Sequence, residues 1–119
     1  MTPERVGAWL EAYVAAWRSY DRDAIAGLFS EDAEYRYHPY DDPVRGREAI
    51  AAAWLADPDE PDSWEAAYAP LLIVADRAVA TGETRYDGGR TFSNLFMLEF
   101  DGDGRCRSFT EWYMEHPSE

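Results

Sequence analysis

Along the first twenty residues the apolar positions Val6, Trp9, Leu10, Tyr13, Val14 and Trp17 fall three and four apart, which draws one apolar stripe down a helix. Thr2 followed by Pro3 supplies its start: a side-chain cap, then a residue whose missing N–H has no partner to lose in the first turn. Asp21 caps a second, shorter helix in which Ala24, Ile25, Leu28 and Phe29 face inward and which Ser30–Asp32 breaks. Ala33–His38 alternates polar and aromatic residues, so it predicts a strand that Pro39 ends or places at a sheet edge. Gly46–Asp57 predicts a third helix with Ala49, Ile50, Ala53 and Trp54 on one face.

From Ser63 the period changes from helical to alternating. Ser63–Val74, Arg77–Tyr86, Arg90–Phe100 and Arg105–Glu115 read as long strands, and Asp87–Gly89 and Asp101–Gly104 supply tight turns between the last three. Helix, helix, strand, helix and then an antiparallel meander, with no βαβ alternation, predicts an α+β domain in which three helices cover one face of a curved sheet. The whole chain, 1–119, reads as one domain without internal repeats.

Composition adds bulk and charge to this outline. Hydrophobic residues make up 46% and aromatics 15%, with five Trp and eight Tyr, enough to line a cavity as well as fill a core. The net charge of −13, from 24 acidic against 11 basic residues, repels phosphate backbones and anionic lipid, so nucleic acid and membrane are poor partners. The acids of Ala56–Trp64 read as a solvated loop stiffened by Pro58 and Pro61. Cys106, alone, reads as a buried or half-buried bystander thiol. The first helix carries acids where a signal peptide would be basic and apolar, and the longest apolar run, Ala66–Ala75, is short for a membrane span and contains Pro70. A soluble, cytoplasmic protein is the expectation.

The order of elements, together with Tyr13–Tyr35, Val44–Trp54 and Leu98–Tyr113, resembles the nuclear transport factor 2-like superfamily, in particular its SnoaL-like branch, which is similar to ketosteroid isomerases. The resemblance implies a cone: a strongly bent, mainly antiparallel sheet around an apolar cavity, closed on one side by the long helix. It also implies a homodimer formed through the outer face of the sheet. The superfold hosts isomerases, cyclases, hydratases and non-catalytic binding modules, so function rests on the site.

In the ketosteroid isomerase-like pattern, a tyrosine on the first helix donates to a developing oxyanion and an acid before a proline at the end of the first strand moves the proton. Tyr13 matches the first place and, allowing one extra residue in the strand, His38 before Pro39 matches the second. The place of the second oxyanion donor falls on Phe96, which donates nothing; the loss of such a donor costs about 3 kcal/mol of transition-state stabilisation, so steroid isomerisation is not expected. The same place becomes apolar wall.

On the last strand, alternation puts Phe109, Glu111 and Tyr113 on one face, and the resemblance implies that this face lines the cavity. A carboxylate there loses hydration and gains proton affinity, which suits acid–base work near neutral pH. Asn94 faces the same cavity to orient a carbonyl, with Trp17, Tyr37 and Trp54 as further wall. The expected chemistry is proton abstraction beside a carbonyl, or gain or loss of water, on a small hydrophobic, oxygenated ligand, without metal or organic cofactor: an isomerase, cyclase or dehydratase. Each residue also has a plainer reading. His38 shares a strand face with Arg36 and is solvated unless a bulge intervenes; Tyr13 is a core tyrosine; Glu111 pairs with Arg85, Arg90 or Arg107, or is exposed; Asn94 satisfies backbone groups. The corresponding alternatives for the protein are a non-catalytic binding module and a dimeric interaction subunit whose cavity is filled by its own rings. Asp101 and Asp103 lack the closing glutamate of a calcium loop, and His38, Asp41, Asp42 and His116 lack metal-site spacing.

Overall fold

The computed structural model describes residues 1–60 and 62–117; Pro61, counted above in the acidic loop, lies outside the described residues. Helix α1 spans Pro3–Ser19, with the Thr2 hydroxyl accepting the Arg5 N–H, and stops where Tyr20 turns left-handed at φ 50° and donates its N–H to Ala16. Val6, Trp9, Leu10, Tyr13 and Ala16 are buried along it, with Val14 and Trp17 packed at the margin. Helix α2, Arg22–Gly27, is capped by the Asp21 carboxylate, which accepts two N–H groups.

Here the structure departs from the predicted boundaries. Strand β1 runs Phe29–Arg36, so Ser30–Asp32 continue the chain as strand instead of merely breaking a helix, and Ala24 is exposed while Ala26 is buried. Phe29 pairs with Cys106, and the Trp9 indole N–H bonds the Leu28 carbonyl at 3.0 Å. These are contacts across the whole chain, and they outweigh one more helical turn. A two-residue strand β2, Val44–Arg45, leads into helix α3, Arg47–Ala56, which buries Ile50, Ala51 and Trp54 and leaves Ala49 exposed.

Strands β3 (Trp64–Val74), β4 (Arg77–Tyr86), β5 (Thr91–Phe100) and β6 (Cys106–Glu115) follow as the expected meander. The six-stranded sheet has the order β2-β1-β6-β5-β4-β3, antiparallel throughout except for β1 beside β6. The last strand therefore lies between the first and the fifth. Register shifts within Phe29–Glu34, Pro70–Leu72 and Glu99–Phe100 bend the sheet. Helices cover its inner face. Phe29, Phe96, Phe100 and Phe109 are fully enclosed there, each contributing roughly 2 kcal/mol or more relative to exposure.

The rings are arranged as one aromatic stack rather than a uniform filling. Tyr13 lies on Phe109 at 5.5 Å and 17°, and Phe109 lies on Tyr35 at 4.4 Å and 3°. Across β3 and β4, Tyr68 is paired with Gly82, where a Cβ would stand 2.0 Å from the Ala67 carbonyl oxygen. Only a residue without a side chain lets these strands approach so closely, and the approach brings the Tyr68 ring to 4.7 Å from Phe96. Among the described residues no helix is long and apolar enough to cross a membrane. Cys106 is buried and its thiol is pushed up to about 12 by that burial.

Candidate functional site

Beyond the aromatic stack the helices and the bent sheet diverge and leave a cavity of about 630 Å³. Tyr13 and Trp17 reach it from α1, Trp54 and Ala53 from α3, and Tyr68, Thr84, Asn94 and Glu111 from β3 to β6. The rim is tied shut at one corner by polar bonds: the Trp17 indole donates to Asp59 at 3.0 Å, and the Asp59 N–H donates to the Tyr20 hydroxyl at 2.8 Å.

Glu111 follows from strand alternation: Phe109, Glu111 and Tyr113 share the inner face of β6, opposite Leu98, Phe96 and Asn94 on β5. Its carboxylate accepts a hydrogen bond from Asn94 Nδ2 at 2.7 Å. Asn94 Oδ1 in turn accepts from Thr84 Oγ1 at 2.9 Å, and Thr84 Oγ1 meets the Tyr68 hydroxyl at 2.5 Å. Because the single Thr84 proton is given to Asn94, the Tyr68 hydroxyl donates to Thr84. The chain of donors from Tyr68 through Thr84 and Asn94 thus ends in one hydrogen bond to the Glu111 carboxylate.

No cation is paired with it among the described residues. Arg85 pairs with Glu83 at 3.3 Å, Arg90 with Glu115 at 3.1 Å and Arg107 with Asp76 at 2.8 Å, each away from Glu111. Burial raises the Glu111 carboxyl to about 7; the Asn94 bond and the charge of His38 pull it down less than burial pushes it up. Its charge is felt by the surrounding phenols. Tyr37 and Tyr86 are each pushed to about 12, and Tyr13, Tyr35 and Tyr68 are raised as well, in every case first by burial. These phenols stay protonated at any physiological pH; the Tyr13 and Tyr35 hydroxyls lie 3.5 Å from each other and the Tyr68 hydroxyl bonds Thr84.

His38 is placed differently from a strand-end residue. β1 stops at Arg36, and His38-Pro39-Tyr40-Asp41 forms a turn closed by the Asp41 N–H to the His38 carbonyl at 3.1 Å, with Pro39 in the position its fixed φ suits. The turn sets the first and fourth side chains together: His38 Nδ1 lies 2.8 Å from Asp41 Oδ2. The other nitrogen, Nε2, lies 2.8 Å from the Tyr113 hydroxyl. The face of the ring packs on Tyr40 at 5.1 Å and 9°.

Of the residues singled out in the sequence, Tyr13, Trp17, Tyr37, Trp54, Asn94, Glu111 and Tyr113 come together on the cavity wall. Three do not line it. Phe96 and Phe109 are enclosed beneath the floor, because their positions face the α1 rings, and His38 stands behind Tyr113. The sequence reading did not place Tyr20, Tyr68, Thr84, Tyr86 or Arg90 on the cavity wall, nor Asp41 in the support of His38. The alternation of β3 and β4 carries the signal for Tyr68, Thr84 and Tyr86, and the Ala75–Asp76 turn between the two strands sets their register. A local signal does point to Asp41: Pro39 stands at the second place of the four-residue turn that brings Asp41 back to His38.

A family model described as a SnoaL-like domain matches residues 10–109. Glu111 and Tyr113 lie just past the end of that span. No curated protein matches the chain. Among solved structures, a nuclear transport factor 2-like protein of unknown function from Burkholderia xenovorans is 22% identical, with a TM-score of 0.74 over 98% of this chain and 87% of the other. A protein from Sphaerobacter thermophilus is 24% identical, with a TM-score of 0.71 over 89% and 93%. A protein provisionally named a ketosteroid isomerase, from Kribbella flavida, is 18% identical, with a TM-score of 0.73 over 98% and 83%. At these identities the likeness is one of fold.

Proposed function

We propose, from the premise that this chain belongs to the SnoaL-like domain family of the nuclear transport factor 2-like superfamily, that it is an acid–base enzyme acting on a small hydrophobic, oxygenated molecule. The observation that carries the reading is Glu111: a carboxyl on an aromatic cavity wall, without a cation beside it among the described residues, oriented by Asn94 and with a proton affinity near neutrality. A proton carrier works best when its affinity matches the working pH, because it is then half available as acid and half as base. The ring of phenol donors supplies partners for a ligand carbonyl as negative charge grows on its oxygen. Isomerisation, cyclisation and loss of water all use these parts, with no cofactor in the step. Steroid isomerisation fits poorly, since Phe96 stands at the place of the second oxyanion donor and is buried out of reach.

The test is proton exchange at carbon. In heavy water, with a panel of cyclic ketones followed by proton NMR, the protein exchanges the α-hydrogens of those it binds, and Glu111→Gln slows exchange by roughly a hundredfold or more. Binding without exchange in either protein would leave a ligand carrier in place of an enzyme.

The outer face of the sheet has its own consequence. Leu72, Val79 and Met97 form one row across β3, β4 and β5, and Ala69, Thr81, Leu95 and Trp112 form the next. Leu72 is 61% and Met97 50% exposed, a contiguous apolar surface that a second copy of the chain covers. Light scattering therefore gives twice the 13.6 kDa chain mass, and Met97→Glu, which sets a charge in the middle of the patch, gives the single chain. A parent protein that is monomeric at micromolar concentration would remove this assembly.

A further inference from the structure

Tyr113 stands two residues beyond Glu111 on the same face of β6, which separates the two positions by about 7 Å along the strand. It lines the cavity, whereas His38 and Asp41 behind it do not. The Asp41 carboxylate only accepts hydrogen bonds, so His38 Nδ1 carries a hydrogen and donates it. That leaves Nε2 to the Tyr113 hydroxyl, as acceptor when the ring is neutral and as donor when it is an imidazolium. The arrangement is held from three sides: the 38–41 turn, the Arg36 Nε bond to the Asp41 carbonyl at 3.3 Å, and the Tyr40 ring against the imidazole.

We infer that Tyr113 is a second proton-transfer residue of this cavity, positioned and recharged by His38 and Asp41, and that its pairing with Glu111 fits loss or gain of water at a ligand bearing a hydroxyl β to a carbonyl. The inference rests on the acid–base reading of Glu111. A reaction that returns one proton to the same molecule needs one carrier. Loss of water uses two when one proton leaves carbon while a different one joins the departing oxygen.

The step balances with the groups in place. Ionised Glu111 takes the α-hydrogen as a proton, and the C–H electron pair becomes the new C=C bond. The β-carbon–oxygen bond breaks toward oxygen, and that oxygen takes the Tyr113 phenol proton and leaves as water. Tyr113 recovers a proton from His38 Nε2, leaving the ring neutral with Nδ1–H still bonded to Asp41. Exchange with solvent removes the Glu111 proton and restores the imidazolium. Hydration runs the same sequence backward, with water giving its proton to Tyr113 while neutral His38 takes the phenol proton.

Ring opening of 5-nitrobenzisoxazole tests this without knowledge of the natural ligand. A base removes its one acidic C–H proton, the N–O bond breaks, and the departing phenolate oxygen accepts a proton or hydrogen bond; the nitrophenolate product is coloured. The parent protein opens the ring faster than acetate at equal concentration and pH. Glu111→Gln abolishes that advantage, Tyr113→Phe and His38→Gln each lower it about tenfold, and the double variant is no slower than either single one. Full rates in Tyr113→Phe and His38→Gln, with loss only in Glu111→Gln, overturn the relay and leave the Glu111 reading standing. A Glu111→Gln rate equal to the parent's, or a parent rate no better than acetate's, overturns both. Nitrogen-15 NMR of the free protein gives a readout independent of turnover. When its ring is neutral His38 shows the Nδ1–H form, Tyr113→Phe moves the Nε2 resonance and Asp41→Asn abolishes the preference; an Nε2 signal unmoved by Tyr113→Phe overturns the coupling. Tyr113 and His38 lie outside the enclosed core, so both substitutions leave its packing intact.

Discussion

Glu111→Gln melts about 10 °C above the parent at about pH 8, and the gap closes as the pH is lowered toward 4.5. The cause is the raised proton affinity of the folded-state carboxyl, about 7 against 4.5 for the ordinary group. Below 4.5 the folded and unfolded chains both hold the proton, and Glu111 contributes nothing to stability. Between 4.5 and 7 the unfolded chain releases the proton while the folded one keeps it, so stability falls as pH rises. Above 7 the full cost is present, about 2 to 3 kcal/mol after allowance for the partial exposure of the carboxyl. Glutamine keeps an oxygen for Asn94 Nδ2 and brings no charge into the cavity. The net charge of −13 strains both proteins almost equally, so the difference between their melting curves isolates this one group. A parent whose melting temperature follows that of Glu111→Gln across the whole range would show an ordinary, hydrated carboxylate. A more stable protein with no proton-transfer activity is the usual outcome when a strained functional group is removed.

Gly82→Ala costs about 3 kcal/mol or more in urea denaturation, a large effect for one methyl group. The added Cβ would meet Ala67 O at 2.0 Å, Tyr68 Cδ1 at 2.6 Å and Tyr68 Cα at 2.8 Å. Two of the three are backbone atoms in the ladder between β3 and β4, so no rotamer change relieves the overlap. The strands must separate, and Tyr68 then loses both the Phe96 ring and the Thr84 hydroxyl. Gly7→Ala is the control: it sits inside α1 with nothing within 4 Å of the added carbon, and it stabilises by up to about 1 kcal/mol through helix propensity. A Gly82→Ala midpoint equal to the parent's would mean that β3 and β4 lie farther apart than described here.

How much of this was legible in the residues depends on the range of the information needed. α1 was readable because its cap, its proline and its stripe are all local. The long strands were readable because alternation and Asp-Gly turns are local too; Ser63–Val74 and Arg90–Phe100 differ from β3 and β5 by one residue at the start. The exchange of helix for strand at Phe29 was not, since it depends on Cys106 lying alongside. The same division holds in the site. Glu111 and Asn94 followed from strand parity, whereas Tyr113 became a partner of His38 only because β6 lies alongside β1. Phe96 and Phe109 had the right parity but the wrong depth, because α1 lies directly over them.

The place of β6 between β1 and β5 has a bearing on how the protein comes into being. A ribosome delivers this strand after every other, yet it joins two parts of the sheet that do not otherwise touch. Until it arrives, the nascent chain carries two open β edges and the Tyr35 ring without Phe109, a state prone to self-association. Pairing of β1 with β6 accordingly requires closure of a loop of nearly eighty residues between Phe29 and Cys106, and Glu111 and Tyr113 take their places in the same event that completes the sheet.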